Sequence, residues 1–304
     1  MYGCVIAHHL QSKGYDVTVY ETASNILMGA SFRNFRRIHA GFHYPKNLKL
    51  AKECSSAHNR FVVRYGQFCK PIDTNYWIAK ESEVPWREYK SFLKELGRPY
   101  EEVWAYNING VVEGINCRES TYDVKAMRDY FRRTLKISFG KVPEETFVID
   151  CTYKDSPIAV GMDFKDSTVL HVEANLPLVA QTILYGPYCG YIPAQEGGFL
   201  LYHVVFNDPA EMLRVGAFFF PQLMGARVLG VRPCRHVRKE GDDRSYTMIS
   251  NEKEIHVVGG KIAQSIDCAF EVGKTLQNLG IMPDQGQAGK RNEAVREHQE
   301  DMHR

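Results

Sequence analysis

The chain has 304 residues, 44% of them hydrophobic and 24% charged, a composition typical of a globular protein with one large domain or two interleaved domains. Its 38 basic and 36 acidic side chains leave a net charge of +2, which indicates no nucleic-acid surface. No apolar run reaches the roughly 18–20 residues of a membrane helix, and no secretory signal follows Met1.

The eight cysteines are scattered along the chain without a C-x-x-C pair. Zinc-type spacing is therefore absent. Several of the cysteines stand in apolar surroundings, so we expect buried thiols in a reducing, cytoplasmic compartment.

The first 21 residues predict a helix from about Cys4 to Leu10, a turn at Gly14 and a strand over 17–20. A dinucleotide-binding fingerprint reads G-x-G-x-x-G, with an acidic residue about 20 positions later that binds ribose hydroxyls. Gly3 fits the third glycine and Glu21 fits the acid. The first strand and two glycines of such a unit would precede Met1, so part of the pyrophosphate loop is missing. A helix–turn–strand unit without a cofactor is the alternative.

The middle of the chain mixes helices and strands. Apolar spacing and turn residues predict helices over 48–63, 85–96 and 123–135, and strands over 74–79 and 147–151. The strand over 147–151 reads as buried. Gly97 ends the second helix, and Asn109-Gly110 indicates a hairpin or the start of a strand.

Residues 167–205 contain successive short strands separated by Gly and Pro, which is typical of an antiparallel sheet. An apolar strand over 254–258 then leads into a Gly-Gly-Lys turn and a helix over 263–279. Residues 284–304 carry almost no large apolar side chain and are predicted to be a solvated tail. This order predicts a nucleotide-binding domain built from separated segments, with a sheet domain inserted.

Five segments in this order resemble the FAD-dependent oxidoreductases of the D-amino-acid oxidase and glycine oxidase superfamily, over roughly residues 1–280. The segments are Gly3–Glu21, Gly29–Pro45 (S-x-R-N followed by H-x-G-x-H-Y-P), Cys117–Asp123 (R-E-x-x-x-D), Val148–Thr152 and Ile255–Ala263 with its G-G-K. Residues 185–189 and 200–204 are similar to substrate-domain strands of that superfamily.

The resemblance implies an α/β fold, in which an FAD-binding Rossmann-like domain made of separated segments carries an inserted, mainly antiparallel substrate-domain sheet. The implied FAD-binding domain comprises residues 1–72, 119–152 and 246–283, the substrate domain 73–118 and 153–245, and the tail 284–304. Only 136–146 separates the helix over 123–135 from the following strand, where the superfamily usually has a longer segment. The sequence thus resembles a member truncated at its N-terminus and shortened internally.

The resemblance also implies positions for the cofactor. Glu21 would bind the adenosine ribose, and Gly3 would allow the first helix to approach the pyrophosphate. Further donors to the pyrophosphate or flavin ring are expected from Ser31, Arg33 and Asn34. The backbone N–H groups of Gly259, Gly260 and Lys261, and the Lys261 cation, would lie near the flavin pyrimidine. Each has a structural alternative as a surface charge or a turn residue.

Catalytic groups are harder to choose. His39 and His43 are four residues apart but stand in a Gly/Pro-bounded loop without the H-E-x-x-H glutamate, which excludes zinc. Either histidine could accept the proton of a substrate amine or hydroxyl, and a purely structural histidine is the alternative. Tyr44 is a further catalytic candidate. An arginine fork with a tyrosine hydroxyl suits a carboxylate. The candidates for that clamp are Arg36, Arg37, Tyr44, Tyr202 and Arg232.

The leading hypothesis is an FAD-dependent enzyme that oxidises a C–N or C–OH bond of a small, carboxylate-bearing molecule by hydride transfer. The alternative is a non-catalytic remnant of the family that no longer binds FAD because its phosphate loop is incomplete. A third hypothesis is a binding module that uses the inserted sheet. We expect no nucleic-acid partner, no membrane span and no metal. Exposed sheet edges predict self-association or marginal stability.

Overall fold

The computed structural model describes residues 1–105, 108–144, 146–184, 189–238 and 245–284. The helices in this part of the chain are α1 Tyr2–Ser12, α2 Ala30–Arg33, α3 Leu48–Tyr65, α4 Trp86–Leu96, α5 Val124–Thr134, α6 Pro209–Phe219 and α7 Ser265–Asn278. The strands are β1 Thr18–Glu21, β2 Arg37–Ile38, β3 Cys69–Ala79, β4 Glu101–Val103, β5 Val111–Tyr122, β6 Lys136–Phe139, β7 Val148–Asp150, β8 Asp163–Glu173, β9 Ala180–Leu184, β10 Cys189–Pro193, β11 Phe199–His203, β12 Arg227–Arg238, β13 Thr247–Ser250 and β14 Glu254–Val258.

The chain divides into two compact units. The first contains 1–27, 125–161 and 245–304, and the second contains 28–124 and 162–244. None of the described helices is long and apolar enough to cross a membrane.

The first unit is an α/β unit with two small sheets. Strand β1 pairs in parallel with β6, and β14 pairs in parallel with β7 and antiparallel with β13. Helices α1 and α7 pack on each other, and both carry buried apolar side chains, among them Ile6, Leu10, Cys268 and Val272. The parallel pairs are typical of βα units, in which strands are joined through helices.

The second unit is built on a nine-stranded mixed sheet. Its order is β12-β8-β11-β10-β9-β3-β5-β2, with β4 also paired to β5. All neighbouring pairs are antiparallel except β3 with β9. The mainly antiparallel sheet and the α/β class predicted from the sequence are thereby confirmed.

The two faces of this sheet differ. On one face, the buried Trp77, Ile183 and Leu201 form an apolar cluster with Met212 and Phe219 of α6. On the other face, α3 and α4 cover Tyr76 and Ile115 with an apolar cluster around β3 and β5. Elsewhere that second face carries a small apolar cluster around Val169, Ile192 and Leu200 and, beside it, the polar side chains of the candidate substrate site.

Local sequence signals located most elements closely. The strand over 254–258 coincides with β14, and α4 ends at Gly97, which has φ +68° and donates its N–H to the Leu93 carbonyl. Helix α3 runs two residues further than predicted, and the side chain of Asn47 caps its start. Strand β7 is shorter than predicted and half-buried rather than buried, because it is paired only to β14 among the described residues. The segment 136–146 contains β6.

The compact units do not follow the predicted domain boundaries. Residues 28–72 and 119–124 pack with the large sheet, because β2 pairs with β5 and α3 covers β3 and β5, whereas the prediction grouped these residues with the cofactor-binding segments. Residues 153–161 pack with the first unit. Which segments serve the cofactor stays a prediction. The predicted tail, apart from Asp284, and the strand-like residues 185–188 lie outside the described residues.

Candidate cofactor and substrate sites

The N-terminus of α1 has the chemistry of an anion-binding helix end. Met1 is its N-cap residue, no side-chain cap bonds the first turn, and that turn has no acidic residue. The first N–H groups of a helix have no partners within the helix, and the helix dipole adds positive charge there. A Cβ at Gly3 would lie 3.5 Å from the Cys151 Cβ, which is ordinary packing distance. These residues fit a pyrophosphate.

Glu21 is the last residue of β1, as the fingerprint requires. One carboxylate oxygen, Oε1, accepts a hydrogen bond of 2.9 Å from the Ala23 N–H. This bond stabilises the turn after β1 and leaves the other oxygen of the carboxylate as a further acceptor. The position is compatible with a ribose, and the role of Glu21 stays a prediction.

The Gly-Gly-Lys turn after β14 is held by Tyr2. The Tyr2 hydroxyl donates to the Lys261 carbonyl at 2.8 Å and accepts from the Gly260 N–H at 3.0 Å. A Cβ at Gly259 would come within 2.8 Å of the Tyr2 ring, so the tyrosine packs directly on this glycine. The Lys261 N–H donates to the Gln264 side chain at 3.0 Å. Two of the N–H groups proposed as flavin donors thus already have acceptors within the chain.

The second predicted cofactor segment lies in the other compact unit. The Ser31 carbonyl accepts a 2.6 Å bond from the Tyr122 hydroxyl, and Arg33 is exposed. Asn34 Oδ1 accepts from the Arg36 N–H at 2.8 Å. Arg36 has φ +54°, a left-handed conformation that is unfavourable for a residue with a Cβ. Asn34 therefore stabilises a strained turn that orients Arg36.

A row of paired positions crosses this sheet face, and most of its side chains are polar. Strand registers place Tyr76, Thr182, Gly190 and Tyr202 in adjacent positions on β3, β9, β10 and β11. Because side chains of paired residues point to the same face, the row continues through Val169 to Arg232 on β12. Gly190 makes room for the Tyr202 ring.

Arg37 and Glu119 form a buried ion pair beside this row. Arg37 Nε donates to Glu119 Oε2, and Nη1 donates to the Thr182 hydroxyl at 2.9 Å. The carboxylate also accepts from the Tyr76 hydroxyl at 3.1 Å and from the Ala40 N–H at 2.8 Å. Burial opposes the charge on Arg37, but the Glu119 carboxylate outweighs it and raises the pKa of the guanidinium. The pair stays ionised and fixes β2 against the sheet.

A second ionic cluster joins Arg36, Arg232 and Glu196. Arg36 donates to both oxygens of Glu196, at 2.8 and 3.3 Å, and Arg232 Nη2 donates to Oε1. Both guanidinium groups lie over the Phe32 ring, at 4.9 and 5.4 Å from its centre. Burial raises the pKa of Glu196, but hydrogen bonds from Arg232 and the charge of Arg36 outweigh it and lower the pKa to about 2.

The candidate proton acceptors lie near the buried pair. His39 Nδ1 is 4.0 Å from Glu119 Oε2, and the rings of His39 and His43 are 5.2 Å apart. The His43 ring lies 6.2 Å from that of Tyr76. Tyr44 is instead buried in the apolar cluster beneath α3 and α4. The roles of all three residues stay predictions.

Sequence reasoning missed Glu119, Glu196 and Thr182. Glu119 could have been noticed as an acid in phase with the inward-facing Cys117 and Thr121 of an apolar strand. Glu196 lies in a Gln-Glu-Gly-Gly turn, where an acid reads as a solvated surface residue. Its role becomes visible only when β10, β11 and β12 bring it to the two arginines.

Comparison with known proteins bears on the fold and the cofactor. Residues 1–109 match the family model described as FAD dependent oxidoreductase. The FAD-dependent monooxygenase FPY4 of Fusarium mangiferae is 24% identical over 240 residues, which cover 71% of this chain and 64% of that protein. The chain therefore spans less than two thirds of the length of this curated relative.

Solved structures resemble the chain over most of its length. Glycine oxidase from Geobacillus kaustophilus superposes with a TM-score of 0.65 at 13% identity, over 93% of this chain and 96% of that one. L-amino acid deaminase from Proteus vulgaris gives 0.69 at 11% identity, over 94% and 90%. L-alpha-glycerophosphate oxidase from Mycoplasma pneumoniae, which contains bound FAD, gives 0.66 at 15% identity, over 91% and 92%. At these identities the likeness shows the fold.

The cofactor expected from the sequence is the one named in the family description. The N-terminal third of the chain is thus similar to the FAD dependent oxidoreductase family, and the fold over most of its length is that of glycine oxidase and L-amino acid deaminase.

Proposed function

We propose that this chain is an FAD-dependent oxidoreductase that oxidises a C–N or C–OH bond of a small, carboxylate-bearing substrate by hydride transfer. The observation that carries the proposal is the polar face of the large sheet, where Arg36, Arg232 and Tyr202 stand on or beside one row of side chains. Cationic and hydroxyl donors on a rigid sheet suit the binding and orientation of a carboxylate.

Different residues of the chain would bind the cofactor, bind the substrate and accept the proton. The N-terminus of α1 with Gly3 would hold the pyrophosphate, and Glu21 would accept the ribose hydroxyls. Arg36, Arg232 and Tyr202 would hold the substrate carboxylate, and His39 or His43 would accept a proton from its amine or hydroxyl. Bound FAD would supply the two-electron acceptor. Ser31, Arg33, Asn34, Gly259, Gly260 and Lys261 remain proposed contacts of the cofactor.

A monooxygenase reaction is the second candidate, because the Fusarium relative is named as one. The two reactions differ in their products: oxidation removes two hydrogens from the substrate, whereas monooxygenation adds one oxygen atom from O₂ and consumes an external reductant. Incorporation of ¹⁸O from labelled O₂ into the product distinguishes them.

The first experiment is the visible absorption spectrum of the purified chain, with and without added FAD. Bands of oxidised flavin that survive desalting support the proposal, and bleaching by candidate amino or hydroxy acids then identifies substrates. A colourless protein that takes up no FAD contradicts it. Glu21→Gln should weaken FAD retention, whereas Asp155→Gln, which changes an exposed acid of the same unit, should not.

A cytoplasmic location is proposed as well. It rests on the eight cysteines, all of which are free thiols in the structure.

A further inference from the structure

The cluster of Arg36, Arg232 and Glu196 is a carboxylate clamp that already contains a carboxylate. Arg36 uses both terminal nitrogens on Glu196, whereas Arg232 uses only Nη2. Arg232 Nη1 is buried and has no hydrogen-bond acceptor among the described residues. Because a buried guanidinium N–H without an acceptor is costly, this nitrogen marks where a further acceptor would bind.

The charge of the cluster limits what that acceptor can be. Two guanidinium groups and one carboxylate leave a net charge of +1. The low pKa of Glu196 keeps its carboxylate ionised throughout the neutral range. A ligand with one negative charge therefore neutralises the cluster. A ligand with two charges in one compact group would be repelled by Glu196 in a partly buried site, where screening is weak.

The backbone around Arg36 and Glu196 fixes the cluster, and Arg36 has a strained conformation there. Arg36 keeps its left-handed conformation because Asn34 accepts its N–H and because the Arg36 carbonyl accepts from the Tyr122 N–H at 3.0 Å. Strain of this kind persists where the surroundings fix a functional geometry. Glu196 precedes Gly197 and Gly198, which have φ +91° and +68°, in the tight turn between β10 and β11. Both ends of the Arg36–Glu196 contact are thus set by the backbone.

We infer that Glu196 is a specificity-determining residue of this site: it remains in the clamp beside the ligand, so that Arg232 Nη1 receives a group with a single negative charge and compact dianions are disfavoured. The inference rests on the proposed function only in identifying that ligand as the substrate. It selects monocarboxylates over compact dianions, namely short dicarboxylates such as malonate and phosphate monoesters.

The test compares acetate with malonate as probes on the FAD-free chain, at matched ionic strength and pH 7. Dissociation constants follow from the ligand-dependent rise in Tm. The wild-type chain should bind acetate more tightly than malonate. In Glu196→Gln the net charge becomes +2, and the affinity ratio should move about tenfold or more toward malonate.

Glu173→Gln is the matched control. Glu173 lies on β8 in the same sheet and pairs with Arg227, but that pair is exposed. Its substitution removes the same charge and should leave the ratio unchanged. An unchanged ratio in Glu196→Gln, or an equal change in Glu173→Gln, overturns the inference.

Two further variants cover the possibility that Glu196→Gln does not fold. Glu196→Asp keeps the charge and should keep the preference for acetate, and Arg232→Gln should lose acetate binding. Retention of acetate binding in Arg232→Gln contradicts the inference. Because the probes are read without FAD, failure to bind FAD in the absorption experiment is a separate result.

Discussion

Glu119 is a buried carboxylate that fixes the positions of several polar groups on the sheet. Its side chain is fully buried, and it accepts from Arg37, Tyr76 and the Ala40 backbone. A buried carboxylate is tolerated only when it is paired and hydrogen-bonded. The three donors therefore stabilise the charge of Glu119, and Glu119 in turn fixes their positions. The Arg37 guanidinium, packed 4.9 Å from the centre of the Tyr76 ring, is thereby directed toward Thr182.

Arg37→Met should destabilise the chain strongly. It leaves Glu119 buried without its cation, which costs roughly 3–5 kcal/mol in comparable buried pairs. Urea unfolding at pH 7 measures the loss. Arg227→Met, which breaks the exposed pair with Glu173, is the control and should cause no measurable change. Equal, small effects of both substitutions would show that the Arg37 pair contributes nothing beyond a surface contact.

Gly190 of strand β10 matters to the site because it has no side chain. Gly190 stands opposite Tyr202, and a Cβ there would lie 2.4 Å from Tyr202 Cε1 and 2.7 Å from the Gln181 carbonyl oxygen. Gly190→Ala should therefore displace the Tyr202 ring and cost roughly 1–3 kcal/mol of unfolding free energy. Gly230→Ala on β12, where a Cβ meets nothing within 4 Å, should cost less. Similar losses of unfolding free energy in Gly190→Ala and Gly230→Ala would mean that the Tyr202 ring moves without strain.

Strands β7 and β14 are linked by a histidine between two acids. His256 Nδ1 lies 2.9 Å from Asp150 Oδ2, and Nε2 lies 3.0 Å from Glu254 Oε1. Burial lowers the pKa of His256, but the two carboxylates outweigh it and raise the pKa above its ordinary value. A raised pKa in the folded state stabilises the protein below the unfolded pKa of about 6.5, and the effect is lost as pH rises through the folded pKa.

His256→Asn should therefore lower the free energy of unfolding most near pH 6 and progressively less toward pH 9. Burial raises the pKa of Asp150, but hydrogen bonds outweigh it, and the hydrogen bond of His256 lowers the pKa of Glu254. The contributions of both acids are lost only at acidic pH. Denaturant titrations from pH 5.5 to 9 avoid that range. In Glu254→Gln the folded pKa of His256 should be raised less, because one of the two acids is gone. The stabilisation by His256 should therefore disappear at a lower pH than in the wild-type chain. A difference independent of pH would contradict the role of the charge.

Elements with a local signal were predictable, and those that depend on distant contacts were not. The Gly97 stop and the apolar run of β14 are local signals, and both predictions agree with the structure. No prediction was made for α6, although Asp208 caps it and Pro209 begins it, because its apolar residues also suit a strand. Arg36 and Arg232 could be identified as candidates from the sequence. Their partner Glu196, and Glu119, which pairs with Arg37, could not, because strand pairing across the sheet brings these acids to the arginines.

The molecule leaves several strands with one open edge. Among the described residues, β1 pairs only with β6 and β7 only with β14, and Phe139 at the end of β6 is 52% exposed. Open edges with apolar side chains favour pairing between chains. We therefore expect self-association that depends on concentration in sedimentation velocity.

Phe139→Lys should weaken that association, because a lysine on an edge strand disfavours pairing. Val63→Lys is the control: it replaces an exposed apolar residue of helix α3, which offers no strand edge. A monomer at all concentrations, with a cooperative thermal transition, would contradict this prediction.

The single parallel pair in the large sheet has a consequence for synthesis on the ribosome. Strand β3 ends at Ala79, and its partner β9 begins at Ala180, so about 100 residues must be translated before the two can meet. At typical rates of translation this takes roughly 5–20 s. Until β9 is made, β3 can pair only with β5, and its other edge, which carries Tyr76, Trp77 and Ile78, stays unpaired and available to a chaperone that binds extended apolar segments.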